Sequence, residues 1–225
     1  MLKSFRFLWQ FSRENLAALM GVAFIVSAGG MLTNIGALEY IGIGNLFSAY
    51  YGGFSLITLM VLFIVSAAMC TANLNMALAF GARRRDYFWG VQLQVAVYVL
   101  FAWLVRTVMC ALPELLGWSI APRYETMLSL GGMSHMAFVL AAAATVTLGC
   151  LAGIVSVKNR TWGAVCVVGS LLLGLGAVVL LLISGNHGSI HLWGDLPAIL
   201  FGVMAAAFAA SEVVIWRVIQ RCCVR

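Results

Sequence analysis

Charge is what this chain has least of. Of its 225 residues, 9% are charged and 64% are hydrophobic, whereas a water-soluble domain carries about 25% charged residues. So few charges cannot cover a water-facing surface, which excludes a soluble globular domain. Proline is also scarce, at three residues, so long helices can run without a ring that removes a backbone donor. The six cysteines include no CxxC pair and so supply no zinc-ribbon or thioredoxin-type arrangement. Cys70, Cys110, Cys150 and Cys166 lie in or beside apolar runs, where a thiol acts as a small hydrophobe. Cys222 and Cys223 precede Val224-Arg225, and a terminal Arg does not fit a prenylation box. No GxxxxGK[ST], GxSxG or HExxH occurs. The chain therefore has no P-loop for nucleotide phosphates, no nucleophile elbow and no zincin site.

What the chain does have is apolar runs of the length that spans a bilayer as a helix, about 20 residues. We read an all-α polytopic membrane protein built as a single domain over 1–225. Six transmembrane helices are expected at about 15–36, 54–78, 88–110, 133–157, 162–184 and 198–218. Before them, Leu2, Phe5, Leu8 and Trp9 fall on one helical face, with Lys3, Arg6, Gln10 and Arg13 on the other. That pattern predicts an N-terminal amphipathic helix over 1–13, lying in the membrane interface. Ser12 and Glu14 suit the start of the first span, one as a cap and one facing the positive end of the helix dipole. The apolar run continues past VSAGG at 26–30, so a retained span is expected rather than a cleaved signal peptide.

The segments between spans differ in sign. ALEYIGIGNLFSAYYGG at 37–53, the loop at 112–132 and the Gly-rich stretch at 184–197 are expected on one side, holding Arg123 with Glu39, Glu114, Glu125 and Asp195. The other side receives Lys3, Arg6, Arg13, Arg83, Arg84, Arg85, Lys158, Arg160, Arg217, Arg221 and Arg225. By the positive-inside rule this side is cytoplasmic, with both termini. The expected location is the cell (plasma) membrane. The net charge of +6 thus marks topology and lipid contact, and no nucleic-acid partner is expected.

Few residues offer chemistry. Ser134-His135 pairs a hydroxyl with an imidazole but lacks an elbow. His187, His191 and Asp195 have i, i+4, i+8 spacing, yet Gly185, Gly188 and Gly194 argue against a helix that would present them to a metal. No metal site is expected. Gly149-x-x-x-Gly153 and Ser170-x-x-x-Gly174 allow close helix approach, within the subunit or at a dimer seam. Two charges enter the spans. Arg106 is expected near the outer interface, with its guanidinium snorkelling outward. Glu212 lies about one turn inside the last span, where it would pair with a cytoplasmic base or carry function.

The densest charge is in ALAFGARRRDYFWG, between the second and third spans. Gly81 permits a bend, Arg83, Arg84 and Arg85 fan over about 200° of helix, and Tyr87, Phe88 and Trp89 are expected to re-enter as an interfacial aromatic belt. This stretch resembles the segment that membrane subunits of the type-2 ABC transporter permease class carry after their second span: a Gly, a small residue, basic residues, then Asp and aromatics. The basic N-terminal helix, six spans and cytoplasmic termini resemble that class as well. The resemblance implies the membrane subunit of an ATP-driven exporter, paired with a second permease subunit as homodimer or heterodimer. Separate ATPase subunits would carry ATP and Mg, so the chain itself would bind no cofactor and would not be an enzyme. It further implies that Gly81, Arg83, Arg84, Arg85, Asp86 and Tyr87 belong to an ATPase-coupling loop. An amphipathic or hydrophobic substrate, such as a peptide, an antimicrobial or a lipid-like molecule, suits an apolar pathway. The alternatives are a substrate-binding membrane subunit of a vitamin uptake ABC system, and an integral membrane enzyme or sensor.

Overall fold

The computed structural model describes residues 6, 8–10, 14, 16–17, 21, 25, 43–79, 83–116, 134–186 and 196–221. Five long helices account for nearly all of them: α1 (Ile43–Ala79), α2 (Arg84–Leu116), α3 (His135–Lys158), α4 (Arg160–Asn186) and α5 (Leu196–Arg221). No strand occurs among the described residues. A chain that buries its backbone in lipid must satisfy each N–H and C=O internally, and a helix does so without partners. Among the described residues, four stretches are long and apolar enough to cross a membrane: Phe54–Thr71, Arg84–Ala111, His135–Lys158 and Phe201–Gln220. The chain has the build of a membrane protein. Most of the expected first span lies outside the described residues. At the expected interfacial helix, Arg6, Leu8, Trp9 and Gln10 are helical. Leu8 is buried in the core cluster, not turned to lipid, while Arg6 and Gln10 are exposed.

Two expected boundaries shift. The segment 37–53 reads as a Gly- and Tyr-rich outer loop with room for a short interfacial helix, yet α1 is already helical from Ile43 and runs through Gly52-Gly53 without a break. Glycine weakens a helix in water by about 1 kcal/mol, but in an apolar setting an unpaired backbone costs several. Similarly α2 continues through Pro113 to Leu116, and the rest of the expected 112–132 loop lies outside the described residues.

Helix α3 is the hub, packing against all four others and most extensively against α1. Its buried side chains are mostly small, including Ala141, Ala142, Ala144, Gly149, Cys150, Ala152 and Gly153. Between membrane helices association rests on close packing rather than on expulsion of water, so small residues set the contact. Gly149 faces Phe63 and Ser66, and Gly153 faces Ala67, Cys70 and Thr71. The rising numbers on both helices show that α1 and α3 run parallel. Thr71 Oγ1 donates to the Gly153 carbonyl at 3.3 Å, and the Cys70 and Cys150 thiols lie buried nearby. The GxxxG of α3 is thus spent on packing within the chain. At Ser170-x-x-x-Gly174 the Gly174 position opens on empty space.

Ser211 Oγ donates to Thr147 Oγ1 at 3.0 Å and joins α5 to α3. Asn159 makes the turn from α3 to α4. Its N–H closes α3 on the Val155 carbonyl at 2.9 Å, and its Oδ1 accepts from the Thr161 N–H at 3.0 Å to start α4. Serving both as last cap and first cap, one residue suffices for the turn. Gly163 then fits against Ser156, where a Cβ would come within 2.5 Å of the Ser156 Cα. Ser134 caps the other end of α3, its Oγ accepting from the Ala137 N–H at 3.2 Å, and His135 is exposed beside it. The Ser-His pair is therefore a helix start.

Candidate functional site: the basic end of the bundle

The contacts above place the ends of α1, α3 and α5 together with the starts of α2 and α4. Tyr87, one turn into α2, is fully buried beside Cys70 of α1 and Cys150 of α3. Arg84 touches Gln220 near the end of α5. Arg83, Arg84, Arg85, Lys158, Arg160 and Arg217 accordingly gather at one end, all exposed. The charge segregation read along the chain is a real clustering in space.

Two helices build the site. On α2, Arg84, Phe88 and Gln92 follow at intervals of four residues; on α5, Glu212, Trp216 and Gln220 do the same. Residues four apart share a helix face, and the two rows meet antiparallel as a three-rung ladder. In the outermost rung Arg84 Nη1 donates to the Gln220 carbonyl at 2.7 Å. In the middle rung Phe88 and Trp216 meet edge to face at 4.8 Å between ring centres. In the innermost rung Gln92 Nε2 donates to Glu212 Oε2. Glu212 Oε1 has no hydrogen-bond partner among the described residues. At 1.5 Å per residue, the outer and inner rungs are about 12 Å apart. Beside the ladder runs an open groove of about 840 Å³, lined by Arg84, Arg85, Phe88, Trp89, Glu212, Val213, Trp216 and Gln220.

The expected coupling residues separate. Gly81 lies outside the described residues. Arg83 precedes the helix, and Arg84, Arg85, Asp86 and Tyr87 already belong to the first turn of α2, so the expected loop is mostly helix. Arg83 and Arg85 are exposed, Arg84 is exposed but bonded to α5, and Asp86 is half-buried. Tyr87 is in the core, not in an aromatic belt; of the three aromatics only Trp89, 46% exposed, faces outward. Glu212 is held by the neutral Gln92 rather than by a base.

Arg106 is not part of this site. It stands about 28 Å along α2 from Tyr87 and is 2% exposed. Its guanidinium lies over the Phe138 ring at 4.4 Å from the ring centre. The expected snorkelling is overturned: the side chain turns into the bundle, where a ring face attracts the cation more strongly than in water. His187, His191 and Asp195 lie outside the described residues, and no group of three potential metal ligands occurs among those described. No protein family, curated protein or solved structure matches this chain.

Proposed function

We propose that the chain is the membrane subunit of an ATP-driven ABC exporter, with six spans and both termini in the cytoplasm. In this reading it pairs with a second permease subunit, and separate ATPase subunits bind ATP and Mg. The pathway carries an amphipathic or hydrophobic substrate. One observation carries the proposal: exposed Arg83 stands at a helix start anchored to α5 by Arg84 and to the core by Tyr87. A push on this point is transmitted to two helices at once, because neither anchor lets α2 move alone. Topology by itself needs basic residues on this side but not such anchoring. The N-terminal helix lies at the same membrane surface in this reading, with Leu8 docking it to the bundle.

A photo-crosslinking amino acid in place of Arg83, in cells that make the chain, tests the idea. The expected product joins the chain to a soluble subunit bearing a P-loop. Crosslinks to lipid alone, or to proteins without a nucleotide site, would overturn it.

A further inference from the structure

We propose that the groove between the start of α2 and the end of α5 holds the head of an anionic phospholipid. Its phosphate sits at Arg84 and Arg85, and its glycerol and first acyl carbons lie against Phe88, Trp89, Val213 and Trp216. The site stands whether or not an ATPase docks nearby.

The two ends of the groove differ in chemistry along the direction in which a lipid differs. At the mouth are two guanidinium groups, both exposed. Arg84 gives Nη1 to the Gln220 carbonyl, which fixes its fork in place and leaves other N–H donors free for phosphate oxygens. Arg85 stands beside it, also on the groove. Below them the wall is aromatic and aliphatic, with Trp89 46% and Val213 52% exposed. Tryptophan suits the level of head group and glycerol, having an apolar body and one N–H donor. The volume, about 840 Å³, lies in the range of small-ligand sites, roughly 300–1,000 Å³.

Charge and apolarity together select the source of the phosphate. A free phosphate ion would use the arginines and leave the aromatic wall uncovered. An acyl-bearing phosphate uses both. Glu212 limits the depth: its carboxylate lies about 12 Å below Arg84 and repels an anion that slides inward. The head group is thereby held at the mouth, level with other lipid phosphates.

The purified full chain in neutral detergent, given equal amounts of phosphatidylglycerol and phosphatidylcholine, tests the site by native mass spectrometry. Phosphatidylglycerol should be retained preferentially. Arg85→Gln should weaken its binding about fivefold, the ratio that about 1 kcal/mol per basic residue near an anionic surface corresponds to. Arg85→Lys should restore most of it, and Arg83→Gln, outside the groove, should change little. An equal concentration of inorganic phosphate should not displace the lipid. Equal retention of the two lipids overturns the proposal, as does unchanged binding by Arg85→Gln at an unchanged melting temperature. Displacement by inorganic phosphate would make this a soluble-anion site instead.

Discussion

Replacing Gly153 with Ala adds one methyl group where α1 and α3 touch. The new Cβ would lie 2.4 Å from the Ala67 carbonyl oxygen and 3.1 Å from both Cys70 Cβ and Thr71 Oγ1. The first distance is about 1 Å below the 3.4 Å at which ordinary contact begins. That oxygen belongs to the backbone of α1 and cannot rotate away, so the helices must part or bend. Overpacking of this kind costs about 1–3 kcal/mol. Parting also stretches the Thr71 hydrogen bond to the Gly153 carbonyl, already 3.3 Å long, and an interhelical bond in a membrane protein contributes about 0.6 kcal/mol. A loss of about 2–3 kcal/mol lowers the melting temperature of a chain this size on the order of 5 °C. The control is Gly174→Ala, where no atom lies within 4 Å of the added Cβ and helix propensity improves by up to about 1 kcal/mol. Thermal melting of the two purified variants in the same detergent reads the difference. If Gly153→Ala melts at or above wild type, the close approach of α1 and α3 is wrong.

Three further outcomes follow from the same structure. Phe138→Leu and Arg106→Met, alone and combined, should show a coupling of about 1–2 kcal/mol in a double-mutant cycle of unfolding, because the guanidinium lies over the ring in a desolvated place; a coupling near zero would mean that the cation leaves the ring. Glu212→Ala strands the Gln92 amide and should destabilise by about 0.6–1.7 kcal/mol, while Glu212→Gln keeps an acceptor and should stay near wild type; equal losses in melting temperature would count against the Gln92 bond. Thiol labelling of intact cells should reach a cysteine placed at Glu125 but not one placed at Arg84; labelling at Arg84 from outside would reverse the proposed orientation.

How much of this was legible in the sequence differs by feature. The helical class and the five described helices follow from apolar run length, and the basic end follows from counting Lys and Arg by segment. The charged turn Lys158-Asn159-Arg160 was legible as a short connection, though the double cap by Asn159 emerges only with the backbone. Helix boundaries were less legible, because Gly52-Gly53 near the start of α1 and Pro113 near the end of α2 break helices in water and not here. At the candidate site Arg84, Arg85 and Glu212 stood out by charge alone. Phe88, Gln92, Trp216 and Gln220 did not, since a search by charge passes over aromatics and amides. Their signal was spacing: two rows with intervals of four, each ending on a polar residue at both sides of an aromatic.

Arg106 shows what kind of information was missed. It stands about 28 Å along α2 from Tyr87, and snorkelling follows if height is all that matters. Direction around the helix matters as much. Tyr87, Val91, Val95, Tyr98, Ala102, Arg106 and Met109 succeed one another at steps of three or four residues, and all seven are buried. They form one stripe, while Leu100, Leu104 and Val108 on another face are exposed. A helix that is apolar on every side hides such a stripe, because lipid and protein interior reward the same residue types. Only the rare polar members reveal it. Gln94, fully buried, lies at one edge of the stripe, about 20° from Tyr87, and Arg106 lies at the other edge, about 120° from Gln94 at 100° per residue. Two costly residues that bound one stripe of a membrane helix argue that the surface between them meets protein, and Arg106 turns inward with it.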